Sequence, residues 1–184
     1  MTHEREQSLV ELVSPDGASI GSSTVEVAHT GAGLLHRAFS VLIFDAQGRT
    51  LLQRRSAAKT RFPLRWANAC CGHPAPGEAV VEAATRRLAE ELGVAGVDLA
   101  DVGVLTYAAS DPATARIEHE YDHVLVGHVR SGLATTPDPD EVASLAWVAP
   151  SAVLGDITGP RSAEYAPWLP GVLRIALEAS GGNS

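Results

Sequence analysis

Cysteine, basic charge and long apolar runs are all in short supply in this 184-residue chain. The only two cysteines, Cys70 and Cys71, are neighbours, so a disulfide between them would be strained and would close no useful loop. That excludes a disulfide scaffold and fits a reducing compartment, with free thiols that are more often small buried hydrophobes than catalysts. Lysine and arginine number 14 against 22 acidic residues, a formal net charge of −8, which argues against a nucleic-acid partner because phosphate-backbone binding needs a generous basic face. No run approaches the roughly 20 apolar residues that cross a bilayer. Residues 1–7 are charged and polar rather than apolar, so the expectation is a cytoplasmic protein with no membrane partner. There is no internal repeat, low-complexity tract or linker, and a chain that is 45% hydrophobic and 20% charged can bury one core. One domain over 1–184, with flexible ends at 1–7 and 180–184, is the expected organisation.

What is present is a regular alternation of strands and turns around one strong helix. Residues 8–13 and 18–27 flank the turn Pro15-Asp16-Gly17 as an entry hairpin. The apolar run 38–44 reads as a buried strand that returns over 50–54 through Asp45-Ala46-Gln47-Gly48. Helical spacing over 78–92 puts Val81, Ala84, Thr85, Leu88 and Leu92 on one face, and Gly93 is placed to cap the end. Strands follow over 102–108, 117–130 and 144–148, and the last part of 163–179 reads as a helix whose start is limited by Pro167 and Pro170. The pattern predicts an α+β fold, a mixed sheet with helices packed on both sides in an αβα arrangement.

Four clusters carry possible chemistry, each with a plainer alternative. His29 and His36 stand seven residues apart, and a histidine in either position is commonly an ordinary core or surface residue. In Cys71-Gly72-His73-Pro74, Gly72 allows close backbone approach to a ligand and His73 offers an imidazole near a thiol; the alternative is a turn. Glu118 and Glu120 point to one face of a strand while His119 and Tyr121 point to the other, and a solvated outer face is the favoured reading of such a pair. Three imidazoles and two carboxylates would suit a first-row divalent ion, zinc included, better than calcium, and the ligand types exclude a zinc finger. In the helix, Arg87 and Glu91 are one turn apart, plainly read as a surface pair on its charged side although in the poorer order for helix support, while Arg54, Arg55 and Lys59 add positive charge upstream or form a solvated strand end.

Taken together these motifs resemble a known family. Gly72, Glu78 and the run Arg86-Arg87-Leu88-Ala89-Glu90-Glu91-Leu92-Gly93-Val94 follow the Nudix box, with Arg87 where a glutamate is usual. Ala28-His29-Thr30, Leu35-His36-Arg37-Ala38-Phe39-Ser40, Leu52-Gln53-Arg54-Arg55, Asn68-Ala69-Cys70-Cys71-Gly72-His73-Pro74, Ile117-Glu118-His119-Glu120 and Pro167-Trp168 narrow the likeness. Over most of its length the chain resembles the type 1 isopentenyl-diphosphate delta-isomerases, Nudix-fold enzymes that isomerise a substrate whose diphosphate stays intact. The resemblance implies that His29, His36, His73, Glu118 and Glu120 ligate a Mn2+ or Zn2+ ion. It further implies that Glu91, with the Cys71 carbonyl, holds Mg2+ at the substrate diphosphate, and that Arg55, Lys59 and Arg87 bind phosphate oxygens. Moving the double bond needs an acid and a base facing each other with water excluded. By resemblance these are Cys71 and Glu120, with Tyr107 as hydrogen-bond partner or proton relay and the Trp168 ring against the tertiary cation, a contact worth about 2 kcal/mol.

One position departs from the pattern: Val25 stands where the family commonly has a phosphate-binding lysine. A relative that protonates or cyclises a longer prenyl diphosphate therefore stays open beside the five-carbon isomerase, as do a Nudix pyrophosphohydrolase and a non-catalytic binder. A small-molecule prenyl diphosphate is the implied partner, and the oligomeric state has no signature in the sequence.

Overall fold

The computed structural model describes residues 2–130 and 132–181. In chain order it contains α1 (Thr2–Gln7), β1 (Leu9–Val13), β2 (Ser19–Thr24), α2 (Val25–Ala28), β3 (His36–Phe44), β4 (Thr50–Arg55), β5 (Trp66–Asn68) and β6 (Cys70–Gly72). There follow α3 (Val80–Leu92), β7 (Leu99–Ser110), β8 (Ile117–His128), β9 (Val142–Val148), α4 (Pro150–Ile157) and α5 (Leu169–Gly181).

The continuous apolar run of β3 is explained by its position, since both of its faces are covered and both of its edges are used. One edge pairs in parallel with β8 from His36 opposite Glu120 to Phe44 opposite His128. The other is shared in turn by β1 at His36, β6 over Phe39–Val41 and β4 at Phe44. β7 extends the sheet beyond β8, and β5 and β9 flank β4.

Period-two alternation along β3 sends Phe39, Val41 and Ile43 to one core, where Ala83, Ala84, Leu88 and Leu92 of α3 meet them. Leu42 and Phe44 face the opposite core, beneath Val153 of α4 and Leu169, Val172 and Leu173 of α5. Each fully buried leucine or phenylalanine in these layers contributes roughly 1.5–3 kcal/mol of transfer free energy. The predicted α+β sandwich of helix, mixed sheet and helices is the observed one.

Several local expectations change. Residues 25–27 were expected to extend a strand, but the Thr24 hydroxyl accepts the Val27 N–H at 3.3 Å and starts α2 instead. The buried face of α3 is Ala83, Ala84, Leu88, Glu91 and Leu92, while Val81 and Thr85 are exposed. Here Glu91 lies inside the face, and the periodic reading had placed it with the solvated charges. α4, opened by Pro150 at its first turn, has no counterpart in the sequence reading. Of the ends expected to be flexible, residues 2–7 form α1 and 180–181 end α5, while 1 and 182–184 lie outside the described residues. Among the described residues no helix is long and apolar enough to cross a membrane.

Candidate metal and diphosphate site

The parallel pairing of β3 with β8 sets His36 opposite Glu120, and the antiparallel pairing of β7 with β8 sets Tyr107 opposite the same glutamate. His29 ends the helical turn that Thr24 begins, and His73 follows β6 across β3. These placements bring His29, His36, His73, Glu118 and Glu120 together, with ligand atoms all within 4.8 Å of one another. Glu118 and Glu120 are 4% and 8% exposed, so the expectation of a solvated pair is overturned. The inward face of β8 is covered here by His29, His36 and His73 and by Arg61, whose Nε lies 3.3 Å from Glu118 Oε1.

The His29 Nδ1–H donates to the Val25 carbonyl at 2.6 Å and the His36 Nδ1–H to the Leu34 carbonyl at 2.7 Å. With those hydrogens fixed on Nδ1, each Nε2 turns a lone pair toward the cluster. In that tautomer His29 Nε2 and Glu118 Oε2 face each other, buried, at 2.8 Å with no proton between them, and buried His36 Nε2 lies 3.7 Å from Glu120 Oε1. Unsatisfied groups of this kind cost about 1–3 kcal/mol each. A divalent ion at their centre would satisfy them together, so the donor set fits such an ion. Burial holds the His73 imidazole down to about 4 despite the Glu120 carboxylate, which keeps it in the neutral form a metal requires. Burial also opposes charge on His36 and on Glu120, but the contact between imidazole and carboxylate prevails, raising the first and holding the second well below the usual range.

Beside this cluster, Glu120 Oε2 accepts the Tyr107 hydroxyl at 2.6 Å and Oε1 lies 3.0 Å from His73 Nε2. Burial and the nearby Glu120 push the Tyr107 phenol well above its ordinary range, which makes it a donor and not a phenolate. The Cys71 thiol donates to Asn68 Oδ1 at 3.2 Å and lies 3.7 Å from the Ser40 hydroxyl, which itself donates to Asp122 Oδ2 at 2.8 Å. Burial, with the negative field of Asp122, pushes Cys71 up to about 12, so it rests as a neutral S–H group. Trp168 is only 3% exposed and donates its indole N–H to the same Asn68 oxygen at 3.0 Å. Its ring centroid lies 6.0 Å from that of Tyr107.

A third group forms where the chain after β8 closes onto the end of α3. Gly93 ends the helix at φ +66°, and the N–H groups of Thr136 and Asp138 satisfy the Leu92 and Glu91 carbonyls at 2.7 and 2.9 Å. This brings Glu141 beside Glu91. Arg87 is paired with Glu91 and Glu90, Lys59 with Glu91 at 3.3 Å and with Glu141, and Arg5 with Glu141. Burial lowers Lys59 to about 8, against the pull of Glu91. Glu91 is fully buried, yet Lys59 and Arg87 overcome that burial and hold its carboxyl below the usual range. The surface-pair reading of Arg87 and Glu91 gives way to a buried charge network.

Arg5, Lys59, Arg87, Cys71, Glu120 and Trp168 all line one cavity of about 620 Å3, as does Arg55. The Arg55 guanidinium donates through Nη2 to the Arg61 carbonyl at 2.8 Å and through Nε to that of Phe62 at 3.1 Å, and lies 5.6 Å from the Trp168 centroid. Those two donors serve the fold rather than the open cavity. Gly72 does permit a close approach, but the neighbour is Phe39, whose ring a Cβ would meet at 2.8 Å. Arg5, Ser40, Asp122 and Glu141 were not singled out from the sequence.

Residues 34–169 match the NUDIX domain family. The isopentenyl-diphosphate delta-isomerase of Nocardia farcinica is 58% identical over 91% of this chain and 93% of its own length. That of Streptomyces coelicolor is 49% identical over 78% and 72% respectively. Among solved structures, DR0079 from Deinococcus radiodurans superimposes with a TM-score of 0.71 over 91% of this chain and 98% of its own, at 19% identity, a likeness of fold alone. The buried histidine and glutamate cluster, the cavity wall carrying a thiol and a carboxylate, and these matches converge: the chain belongs to the isopentenyl-diphosphate delta-isomerase family of the Nudix superfamily.

Proposed function

We propose that this enzyme converts isopentenyl diphosphate to dimethylallyl diphosphate by protonation and deprotonation, with Cys71 and Glu120 as the acid and base. The observation that carries the reading is that the Cys71 thiol and the Tyr107-bound carboxylate of Glu120 line one cavity with the arginine and lysine cluster. Cations near Glu91 can hold a diphosphate while the alkene lies against the apolar wall of Trp168.

Lys59 and Arg87 bind phosphate oxygens, and Arg55 adds positive field from the cavity wall. Glu91, with the Cys71 carbonyl, would hold Mg2+ at the diphosphate, and the three histidines with Glu118 and Glu120 would hold Mn2+ or Zn2+. Such ions, when bound, supply fixed positive charge that neutralises the diphosphate and depresses the basicity of the carboxylate they touch. Tyr107 orients Glu120 by donating to Oε2, and its high resting pKa keeps that proton in place. Protonation at one end of the alkene leaves a tertiary cation that the Trp168 face stabilises, and loss of a proton from the neighbouring carbon gives the product. Walls of Trp168 and Tyr107 exclude the water that would trap that cation. The free thiols Cys70 and Cys71 support a reducing, cytoplasmic setting.

The test is incubation of the metal-loaded enzyme with isopentenyl diphosphate in deuterated water, followed by proton and phosphorus NMR. Deuterated dimethylallyl diphosphate with an intact diphosphate is the expected product. Free phosphate would make the chain a hydrolase, and turnover only of longer prenyl diphosphates would make it a specialised relative. Cys71→Ala and Glu120→Gln should each nearly abolish isomerisation while the protein stays folded; wild-type turnover in either removes that residue from the reaction.

A further inference from the structure

Asn68, the last residue of β5, is fully buried and uses its entire hydrogen-bonding capacity. Its Nδ2 donates to the Val41 carbonyl at 3.2 Å and to the Cys70 carbonyl at 2.7 Å. Its Oδ1 accepts the Cys71 thiol at 3.2 Å and the Trp168 indole N–H at 3.0 Å. An amide offers two donors and two acceptor lone pairs, and all four are in use. The partners also fix which end is which, because two carbonyls can face only the NH2 and an indole N–H only the oxygen.

We propose that Asn68 is a positioning residue for the isomerisation: one immobile amide oxygen sets both the thiol of Cys71 and the ring of Trp168 against the same substrate carbons. The inference rests on the isomerase reading and extends it to how acid or base and cation-facing ring are kept in register. Cys71 and Trp168 lie 97 positions apart in the chain, on β6 and just before α5, and no other hydrogen-bonded side chain joins them among the described residues. A thiol has one heavy-atom rotor and makes weak hydrogen bonds, so packing alone leaves its direction poorly fixed. Here Asn68 holds it on one side, and Ser40, itself anchored on Asp122, lies on the other. A misplacement of about 1 Å between reacting groups can cost on the order of 100-fold in rate. Substrate affinity, set by the cations around Glu91, has no such dependence on Asn68.

Asn68→Ala should therefore lower kcat by about 10- to 100-fold and leave KM for isopentenyl diphosphate within about threefold. Trp168→Phe, which keeps a ring but deletes the indole donor, should lose kcat on its own and lose much less in the Asn68→Ala background, since the shared contact is already gone. Purely additive losses, or a kcat for Asn68→Ala within about twofold of wild type, would overturn the proposal. So would a loss confined to KM, which would mark a binding or general structural role. A readout independent of turnover is the rate of Cys71 alkylation by iodoacetamide, followed by mass spectrometry with buried Cys70 as the internal reference. The rate should change severalfold in Asn68→Ala and in Trp168→Phe, each measured on folded protein. If Asn68→Ala does not fold, an unchanged rate and unchanged kcat in Trp168→Phe would overturn the proposal by themselves. If wild type does not isomerise the substrate, the function reading fails. The alkylation series still decides whether Asn68 holds the thiol.

Discussion

Replacing Arg87 by alanine isolates what the cation in the Nudix helix does. Arg87 Nη1 lies 2.6 Å from Glu90 Oε2, and Nη2 is paired with Glu91 and lies 3.8 Å from Glu141. A charge-assisted hydrogen bond contributes about 1.5–3 kcal/mol, or roughly 10- to 150-fold in an equilibrium constant. Part of that is offset, because the guanidinium must leave carboxylates to reach a phosphate. The lower end, about 10- to 30-fold in kcat/KM, is the expected loss. It should lie in KM with kcat nearly held, since the proposed contact would be to the diphosphate in ground and transition states alike. Steady-state turnover of isopentenyl diphosphate gives that split, and calorimetric titration with inorganic pyrophosphate and magnesium gives the binding change directly. Arg87→Glu, which restores the usual box residue, should do worse than alanine. It would set a like charge beside Glu90, Glu91 and Glu141, at a cost of about 4 kcal/mol for a pair 4 Å apart at an effective dielectric of 20. A KM and a pyrophosphate affinity both within about twofold of wild type in Arg87→Ala would refute the phosphate contact.

Other outcomes follow from the same geometry. Stripping metal with a chelator should lower Tm, and manganese or zinc at about 100 times its Kd should restore about 2.7 kcal/mol; a Tm indifferent to chelator and metal would show that the cluster is stable empty. Asp111, 2% exposed, accepts the N–H groups of Phe62 and Ala113 at 2.7 and 3.0 Å and the Thr114 hydroxyl at 2.8 Å. Burial opposes its ionisation, but those donors prevail and hold its pKa below the ordinary carboxylate value. Its contribution is thus present above about pH 4 and lost as the pH falls through the folded-state pKa, so Asp111→Asn should cost about 2 kcal/mol in urea denaturation at pH 7, shrinking in acid. A difference constant from pH 7 to pH 3 would contradict this. Gly93→Ala places a Cβ at φ +66° and 3.0 Å from Thr136 Cβ, for an expected loss of about 1–2 kcal/mol; unchanged thermal stability would mean the loop after β8 yields freely.

Sequence periodicity made β3 and α3 legible because each is specified locally, by an apolar run and by a helical repeat closed with Gly93. The metal set was visible as residue types through family resemblance, but its burial was not visible in the residues. Glu118 and Glu120 read alone as a solvated pair, and only the pairings of β8 with β3 and β7 enclose them. Val25 and Val27 favoured a strand by propensity, and a single cap at Thr24 reversed that, turning His29 inward as a result. Glu91 reads with the charges on the polar side of its helix, but it is buried, with Arg87 one turn back on α3, Gln53 from β4 and Lys59 from the segment after β4 converging on it. Arg5 and Glu141 were illegible for the same reason: their importance lies in partners distant along the chain.

The parallel pairing of β3 and β8 also bears on the order in which the molecule is assembled. His29, His36 and His73 are synthesised well before Glu118 and Glu120, and the five ligand atoms converge only after β8 has returned alongside β3. Parallel contacts between such distant segments are among the slower ones to form, because loop-closure entropy is spent before any contact compensates it. A nascent chain would therefore offer a divalent ion an incomplete set until its sheet is finished, and uptake of such an ion would be a timestamp for completion of the fold.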